Sequence, residues 1–422
     1  MSTWARIASI TGPTFVSPDG NWKFAFHGLV GSSFYVQDTP QYVLNGQGPL
    51  LPLGKADSSF TTGADVRQSR FNFSLAGPKV LDATPKAVVE FDFFGLNSPG
   101  GYGQVSVYPR LRLAYAELNW NSGENVLRFG QDHELILALI PDSIGHLAYI
   151  VTYFCGAIGW REPGIGYTHT FKFDDSSKLE LAVQVLTSSW QNPTDFGEST
   201  VQDLNVDLGQ LSGLPAGELR VKYSNPWIMA FIAGHYGRVG GTEAGNNLIA
   251  PGAAGGSILG AVPTRDWDVL AGVAGLKLSF VGFTLQGSGY VGKNLGPLLG
   301  EQLQFVTSND VHEYGAWGQL GYAIAPWLSI SVVGGSSQLE TADVEAGGGG
   351  RLNNSVIGGM VKFQQGGFAI APEFYHNIAQ SITATGANTE ADVNQFLLTG
   401  EFFFVFALEI REAFCSLNLG SG

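Results

Sequence analysis

The sequence predicts an all-β chain: a 16-stranded antiparallel transmembrane β-barrel with long extracellular loops, short periplasmic turns and a third long loop folded inward. Three observations predict it. Gly is abundant at 58 of 422 residues, and charged residues fall to 14 % against a typical ~25 %. Interior Gly costs a helix roughly 1 kcal/mol against Ala, so this composition suits many strands and tight turns. Apolar residues recur with period two, and the connections between the periodic runs alternate in length.

The first run, Trp22 to Val36, puts Trp22, Phe24, Phe26, Val30, Phe34 and Val36 on one parity and Lys23, His27, Ser33, Tyr35 and Gln37 on the other. It is long for a soluble strand, whose mode is about 5–6 residues, and matches a tilted membrane strand of ~9–11 residues plus its ends. Ala64–Gly77 and Ala87–Gly95 follow, with Phe71, Phe73 and Leu75 opposite Arg70, Asn72 and Ser74, and Val89, Phe91 and Phe93 opposite Glu90 and Asp92. Arg110–Trp120 and Asn125–Gly130 flank the turn 121–124. In these two runs Arg110, Arg112 and Arg128 oppose Leu111, Leu113, Tyr115, Leu127 and Phe129. A long stretch without strand period, Gln131 to Gly159, separates them from Gly164–Phe173. The remaining runs are Leu179–Val185, Glu218–Tyr223, Trp227–Gly237, Trp267–Phe280, Phe283–Val291, Tyr314–Ile324, Trp327–Val333, Ser355–Phe363, Phe368–Tyr375 and Gln395–Leu408.

Eight long connections (38–63, 96–109, 131–159, 191–215, 238–265, 294–312, 334–351, 377–393) take turns with seven short ones (78–86, 121–124, 174–178, 224–226, 281–282, 325–326, 364–367). An up-and-down membrane barrel sorts its connections this way. A sandwich has no reason to, and a propeller would show blade repeats. The side-chain chemistry agrees, because lipid demands an apolar outside and a water-filled lumen accepts a polar inside. Trp22, Tyr42, Trp120, Tyr167, Trp190, Tyr223, Trp227, Trp267, Tyr290, Trp317 and Trp327 lie near strand ends, where interfacial girdles sit. The expected organisation is an N-terminal periplasmic segment, 1–21, and the barrel, 22–422.

The net charge of -14 argues against nucleic acid as a partner. No run reaches 18 consecutive apolar residues, so no transmembrane helix is expected. The N-terminus lacks a basic segment followed by an apolar one, so either the numbering begins on a processed chain or export takes another route. Cys155 and Cys415 offer neither a disulfide framework nor a metal spacing. No hydrolase or phosphate-loop motif is intact: Gly287-Ser-Gly-Tyr lies inside a strand, and Gly347–Gly350 lacks the Lys-Ser/Thr pair. Neither enzymatic activity nor a cofactor is expected.

Arg67-Gln-Ser-Arg-Phe71, Val89-Glu-Phe-Asp-Phe-Phe-Gly95, Arg110-Leu-Arg-Leu-Ala-Tyr-Ala-Glu117, Phe129-Gly-Gln131 and Trp160-Arg-Glu-Pro-Gly-Ile-Gly-Tyr167 occur in order. On these motifs the chain resembles the DcaP-like porins of Gram-negative outer membranes. The resemblance implies a trimeric diffusion channel whose third loop narrows the pore, with a preference for small anionic solutes such as dicarboxylates. The surroundings it implies are outer-membrane lipid or lipopolysaccharide. Two features depart from the family pattern: no coiled coil precedes Trp22, and the chain runs past Phe406, through Phe414, to Gly422.

The candidate pore-lining and selectivity residues are Arg70, Arg110, Arg112, Arg128 and Arg161, with Asp132, His133 and Glu134 on the loop side. Arg67 lies nearby, and Asp142 and His146 lie further along the loop. A guanidinium stays charged and grips a carboxylate bidentately, so a column of them favours anions. The alternative is that these arginines pair with Glu90, Asp92, Glu117 or loop acids and brace the wall. Asp132-His-Glu134 with His146 has no recognised metal spacing, and no metal is expected. Besides the channel, a barrel-anchored structural protein with a closed or plugged lumen fits the composition. A hydrophobic-compound transporter would need an apolar lumen ladder, which the parity of Arg, Asn and Gln does not offer.

Overall fold

The computed structural model describes residues 15–40, 45–52, 60–95, 108–188, 208–240, 266–301, 309–383 and 385–406. Among them, sixteen antiparallel strands close into one barrel. In chain order these are β1 (Lys23–Gln37), β2 (Thr61–Asp65 and Arg70–Ala76), β3 (Thr84–Gly95), β4 (Tyr108–Trp120), β5 (Asn125–His133), β6 (Arg161–Lys172), β7 (Lys178–Leu186) and β8 (Ala216–Ser224). They continue as β9 (Ile228–Val239), β10 (Trp267–Phe280), β11 (Phe283–Lys293), β12 (His312–Ala325), β13 (Leu328–Leu339), β14 (Gly349–Gln365), β15 (Phe368–Thr383) and β16 (Asn388–Phe406). Each strand pairs with the next, and β16 closes on β1 from Gln395↔Gln37 to Phe406↔Phe26. Phe15–Val16 adds a two-residue ladder to the start of β1. Residues 1–14, and 407–422 with Cys415 and Phe414, lie outside the described residues, as do Tyr42 and Trp190.

The alternation read from sequence is the alternation of the walls. On β1, Val30, Phe34 and Val36 are exposed while Ser33, Tyr35 and Gln37 are buried. Leu111, Phe129, Ile165, Val183, Leu219, Ile232, Leu270, Val332 and Ile357 extend the exposed apolar band around the barrel. Water would not favour so continuous a surface, and lipid does. At the closing seam Phe26 stacks on Phe73 at 4.7 Å between centroids and meets Phe404 edge-on at 5.5 Å. The Phe26–Phe404 pair joins the first and last strands, and the Phe26–Phe73 pair joins β1 to β2, through side chains as well as backbone.

Two irregularities aim residues inward. Residues 66–69 interrupt β2: Leu29↔Arg70 and Ser33↔Asp65 leave three residues of β1 opposite four. The Ser69 hydroxyl bonds both the N–H and the C=O of Gly31 across the gap. On β4 the register slips between Phe91↔Leu111 and Glu90↔Leu113, leaving Arg112 as the extra residue of a bulge. Leu113 and Tyr115 therefore share the inward face of Glu90 and Glu117. This corrects the sequence expectation of an uninterrupted alternation there.

Three strands are taller than their sequence pattern suggests. β14, β15 and β16 have 17, 16 and 19 residues. The expected loop 334–351 shortens to 340–348, which carries a one-turn helix, Thr341–Ala346, and β15 ends at Thr383 with β16 resuming at Asn388. Above the apolar band the pattern loses its contrast, as in Asn353-Asn-Ser355, and period two fades. The girdle expectation holds for Trp22, Trp227 and Trp327, which are exposed, and fails for Trp267, Tyr290 and Trp317, which are buried inside the barrel.

Candidate functional site

The chain leaves the wall at His133 and returns at Arg161. Between them, residues 134–160 lie within the barrel, bonded to wall strands around its circumference. Glu218 on β8 accepts the Leu135 N–H at 2.5 Å, and Gln286 on β11 donates to the Ile140 carbonyl at 3.1 Å. Gln319 on β12 bonds both the N–H and C=O of Asp142 at 2.7 Å, and Lys362 on β14 pairs with the Asp142 carboxylate at 2.7 Å. Glu373 on β15 takes the N–H groups of Ile144 and Gly145 at 2.9 and 2.7 Å and the Ser143 hydroxyl at 2.6 Å. Gln68, in the β2 interruption, donates to the Ile144 carbonyl at 2.6 Å, and Ser337 on β13 accepts the Gly156 N–H at 2.8 Å. An irregular backbone has its polar groups satisfied here by wall side chains.

The loop also fills space. Ile136, Leu139, Ile150, Tyr153, Phe154 and Ile158 pack with Trp267, Val269, Ala271 and Val273 of β10, with Tyr290 of β11 and with Trp317 of β12. Leu51, Leu295, Leu298 and Leu299 from two other connections join this cluster. The lumen thus has an apolar sector. Its sequence signal was the unbroken run Val269-Leu-Ala-Gly-Val-Ala274, apolar on both parities.

The arginine wall faces the loop from β2, β4 and β6. Arg112 is 1 % exposed; its Nε donates to Glu90 at 2.8 Å and its Nη1 to Asp92 at 3.0 Å. Arg110 grips Asp92 with Nε and Nη2 at 2.9 and 2.6 Å and donates to the Tyr149 hydroxyl at 2.6 Å. Arg70 stands 3.6 Å from Glu90 and caps the Leu147 carbonyl at 3.1 Å. Arg161 is buried, with its guanidinium 3.9 Å from the Trp160 ring centroid. Arg67 pairs with its own neighbour, Asp65. Four guanidinium groups (70, 110, 112 and 161) gather around the carboxylates of Glu90 and Asp92 on this wall, and Arg70 also acts on the buried carboxylate of Glu401. Of the arginines singled out from sequence, Arg70, Arg110, Arg112 and Arg161 lie on this wall. Sequence reasoning also posed pairing to Glu90 and Asp92 as the alternative to an open column, and that pairing is present.

Arg128 stands apart. It is the most exposed of the set, salt-bridged to Glu117 at 2.6 Å and to Asp132, with its guanidinium 4.3 Å from the Tyr115 ring centroid. His133 lies beside Asp132 at 3.4 Å. Glu134 is buried and accepts the Trp160 N–H at 2.6 Å. Burial, with Glu218 and Glu162 adding repulsion, pushes its carboxyl well above the ordinary range. His146 is buried against Gln395 at 2.9 Å, and burial lowers its pKa. Asp132, Glu134, Asp142 and His146 therefore do not gather at one point.

Two polar clefts remain at the short-turn end, flanking the loop. One, of about 420 Å³, is lined by Arg128, Asp132, Lys172, Lys178, Glu180 and Arg220 among others. The other, of about 280 Å³, is lined by Asp142, Lys277, Gln286, Gln319, Lys362 and Gln364 among others. Sequence reasoning passed over Arg220, Lys277, Lys362, Gln68 and Glu373. All but Gln68 alternate against apolar neighbours on their strands, and that parity could have found them.

No family model and no curated protein matches the chain, whereas solved structures do. The outer membrane channel DcaP of Acinetobacter baumannii superposes with a TM-score of 0.65 at 13 % identity, covering 93 % of this chain and 100 % of that one. An anion-selective porin from Comamonas acidovorans gives 0.56 at 10 % identity, covering 91 % and 100 %. Salmonella typhi OmpF gives 0.54 at 11 % identity, covering 92 % and 99 %. The chain has the closed, sixteen-stranded fold of the outer-membrane porins.

Proposed function

We propose that the protein is a porin of a Gram-negative outer membrane, a passive diffusion channel for small hydrophilic solutes that prefers anions such as dicarboxylates. Long connections face outward from the cell, short turns face the periplasm, and residues 134–160 form the constriction. The observation that carries the reading is a loop bonded across the inside of a closed barrel, facing a wall where the guanidinium groups of Arg70, Arg110, Arg112 and Arg161 gather. Solutes pass beside the loop through the polar clefts, where Arg128, Lys172, Lys178, Arg220, Lys277 and Lys362 present cations. Fixed positive charge along a water-filled path lowers the barrier for a carboxylate and raises it for a cation. A homotrimer in lipid or lipopolysaccharide is the assembly this reading implies, and the chain carries out no chemistry.

A second reading is a barrel-anchored structural protein with a plugged lumen. The apolar packing of Ile136, Ile150, Phe154 and Ile158 against β10 to β12 favours it. Planar-bilayer recording separates the two. Discrete conductance with a reversal potential displaced toward the chloride equilibrium under a KCl gradient supports the anion channel. Cation preference keeps the channel and removes the dicarboxylate reading, and zero conductance moves the weight to the anchor.

A further inference from the structure

Where the lumen loop leaves β5, three ligand-type side chains converge from three elements. Glu134 is the first loop residue, Glu218 lies on β8 and His235 on β9, and one ligand atom from each lies within 4.8 Å of the other two. All three are buried. The β8–β9 register sets Glu218 directly opposite His235, with Oε1 2.9 Å from Nδ1.

Each carboxylate is anchored through one oxygen. Glu134 Oε2 accepts the Trp160 N–H at 2.6 Å. Glu218 Oε2 accepts the Leu135 N–H and the Gln184 side-chain N–H, both at 2.5 Å. A monodentate ligand needs only its other oxygen, and outer donors of this kind hold metal-binding carboxylates in place. A third carboxylate, Glu162, adds repulsion at Glu134. Arg220, whose Nη1 donates to the Leu135 carbonyl at 3.3 Å, is the cation at hand, one charge against three. Glu134, Glu162 and Gln184 border the 420 Å³ cleft, which supplies an aqueous route to the cluster.

We propose that Glu134, Glu218 and His235 bind one divalent transition-metal ion of the Zn²⁺ class, tying the lumen loop to the β8–β9 wall. Two carboxylate oxygens and one imidazole suit Zn²⁺, Co²⁺ or Mn²⁺ rather than the all-oxygen shell of Ca²⁺ or Mg²⁺. Ligand bonds of about 2.0–2.2 Å set ligand atoms roughly 3.4 Å apart, so the Glu218–His235 pair, 2.9 Å apart, opens slightly and Glu134 closes in from within 4.8 Å, both side-chain movements. The ion also separates the carboxylates electrostatically. The site stands whether or not the barrel conducts.

The test uses the full chain in detergent micelles, stripped with EDTA, incubated with Zn²⁺, desalted and assayed for zinc per chain, with Co²⁺ absorption reporting nitrogen and oxygen coordination. One zinc per chain is expected. Glu134→Gln and His235→Gln should each weaken binding about tenfold or more, while His312→Gln, at the exposed His312–Asp343 pair, should not. Glu134 lies in the loop, so its variant leaves the barrel strands intact, and heat-modifiable migration checks that both variants fold. Absence of retained zinc in the native chain, equal retention by both variants, or loss only in His312→Gln overturns the site.

Discussion

Replacing Arg112 by Met separates bracing from filtering. Arg112 is 1 % exposed and bonds Glu90 at 2.8 Å and Asp92 at 3.0 Å. Removing one member of a buried ion pair costs about 3–5 kcal/mol, because the partner is left buried and uncompensated. Here Glu90 keeps Arg70 at 3.6 Å and Asp92 keeps the two bonds from Arg110. The expected cost is therefore at the lower end, about 3 kcal/mol. Arg112→Met combined with Glu90→Gln removes one charge of each sign and should recover about 2 kcal/mol as coupling. Urea unfolding of the barrel in lipid vesicles, followed by Trp fluorescence, gives both numbers. The reversal potential, measured on the same variants, should move less for Arg112→Met than for Arg110→Ala, since Arg110 is 16 % exposed. A cost below about 1 kcal/mol, the scale of a solvated surface pair, or strictly additive variants, would refute the buried network as the brace.

A Cβ at Gly335 on β13 would stand 2.1 Å from the Cys155 carbonyl oxygen, a backbone atom of the loop. Gly335→Ala should therefore push the loop off this wall and raise single-channel conductance above that of the native protein; unchanged conductance would mean that the loop does not limit the path. Burial pushes the Glu301 carboxyl up to about 8 against the pull of Arg351, 2.6 Å away. The folded value lies above the ordinary one, about 4.5, so Glu301's contribution is fully present below that value and is lost as pH rises to about 8. The protection factors of amides 294–301, taken relative to the intrinsic exchange rate at each pH, should fall over that window, and Glu301→Gln should abolish the fall.

The barrel was legible because lipid enforces one rule on every strand: an apolar outside against a freer inside. Val30-Gly-Ser-Ser-Phe34 or Leu111-Arg112 shows that rule without any tertiary information. What the lumen does with its inward positions follows no such rule. Trp267, Tyr290 and Trp317 read as interfacial aromatics because they sit near strand ends, yet they fill the interior beside Phe154 and Ile158. The bulge at Arg112 turned Tyr115 inward, and a one-residue slip leaves no mark in a periodic pattern. Pairs such as Glu373 with Gly145, 228 residues apart, depend on where the loop lands.

The way the loop is held also decides where an aqueous path can run. Along β9 to β12 apolar side chains fill the space beside the loop, where a carboxylate would have to shed its hydration. Its β2–β4 side is sealed by the arginine network and the rings of Tyr149 and Trp160, stacked at 5.6 Å. Two polar clefts border the loop at the short-turn end, one at Glu134 and Leu135 beside Arg128 and Arg220 and the other at Asp142 beside Lys277 and Lys362. In an anion-preferring channel the buried arginines would act from low dielectric, where salt screens them poorly, while the half-buried cations bordering the clefts would lose influence as ionic strength rises. Anion preference should therefore decline with salt to a residual level set by Arg70, Arg110, Arg112 and Arg161, instead of vanishing.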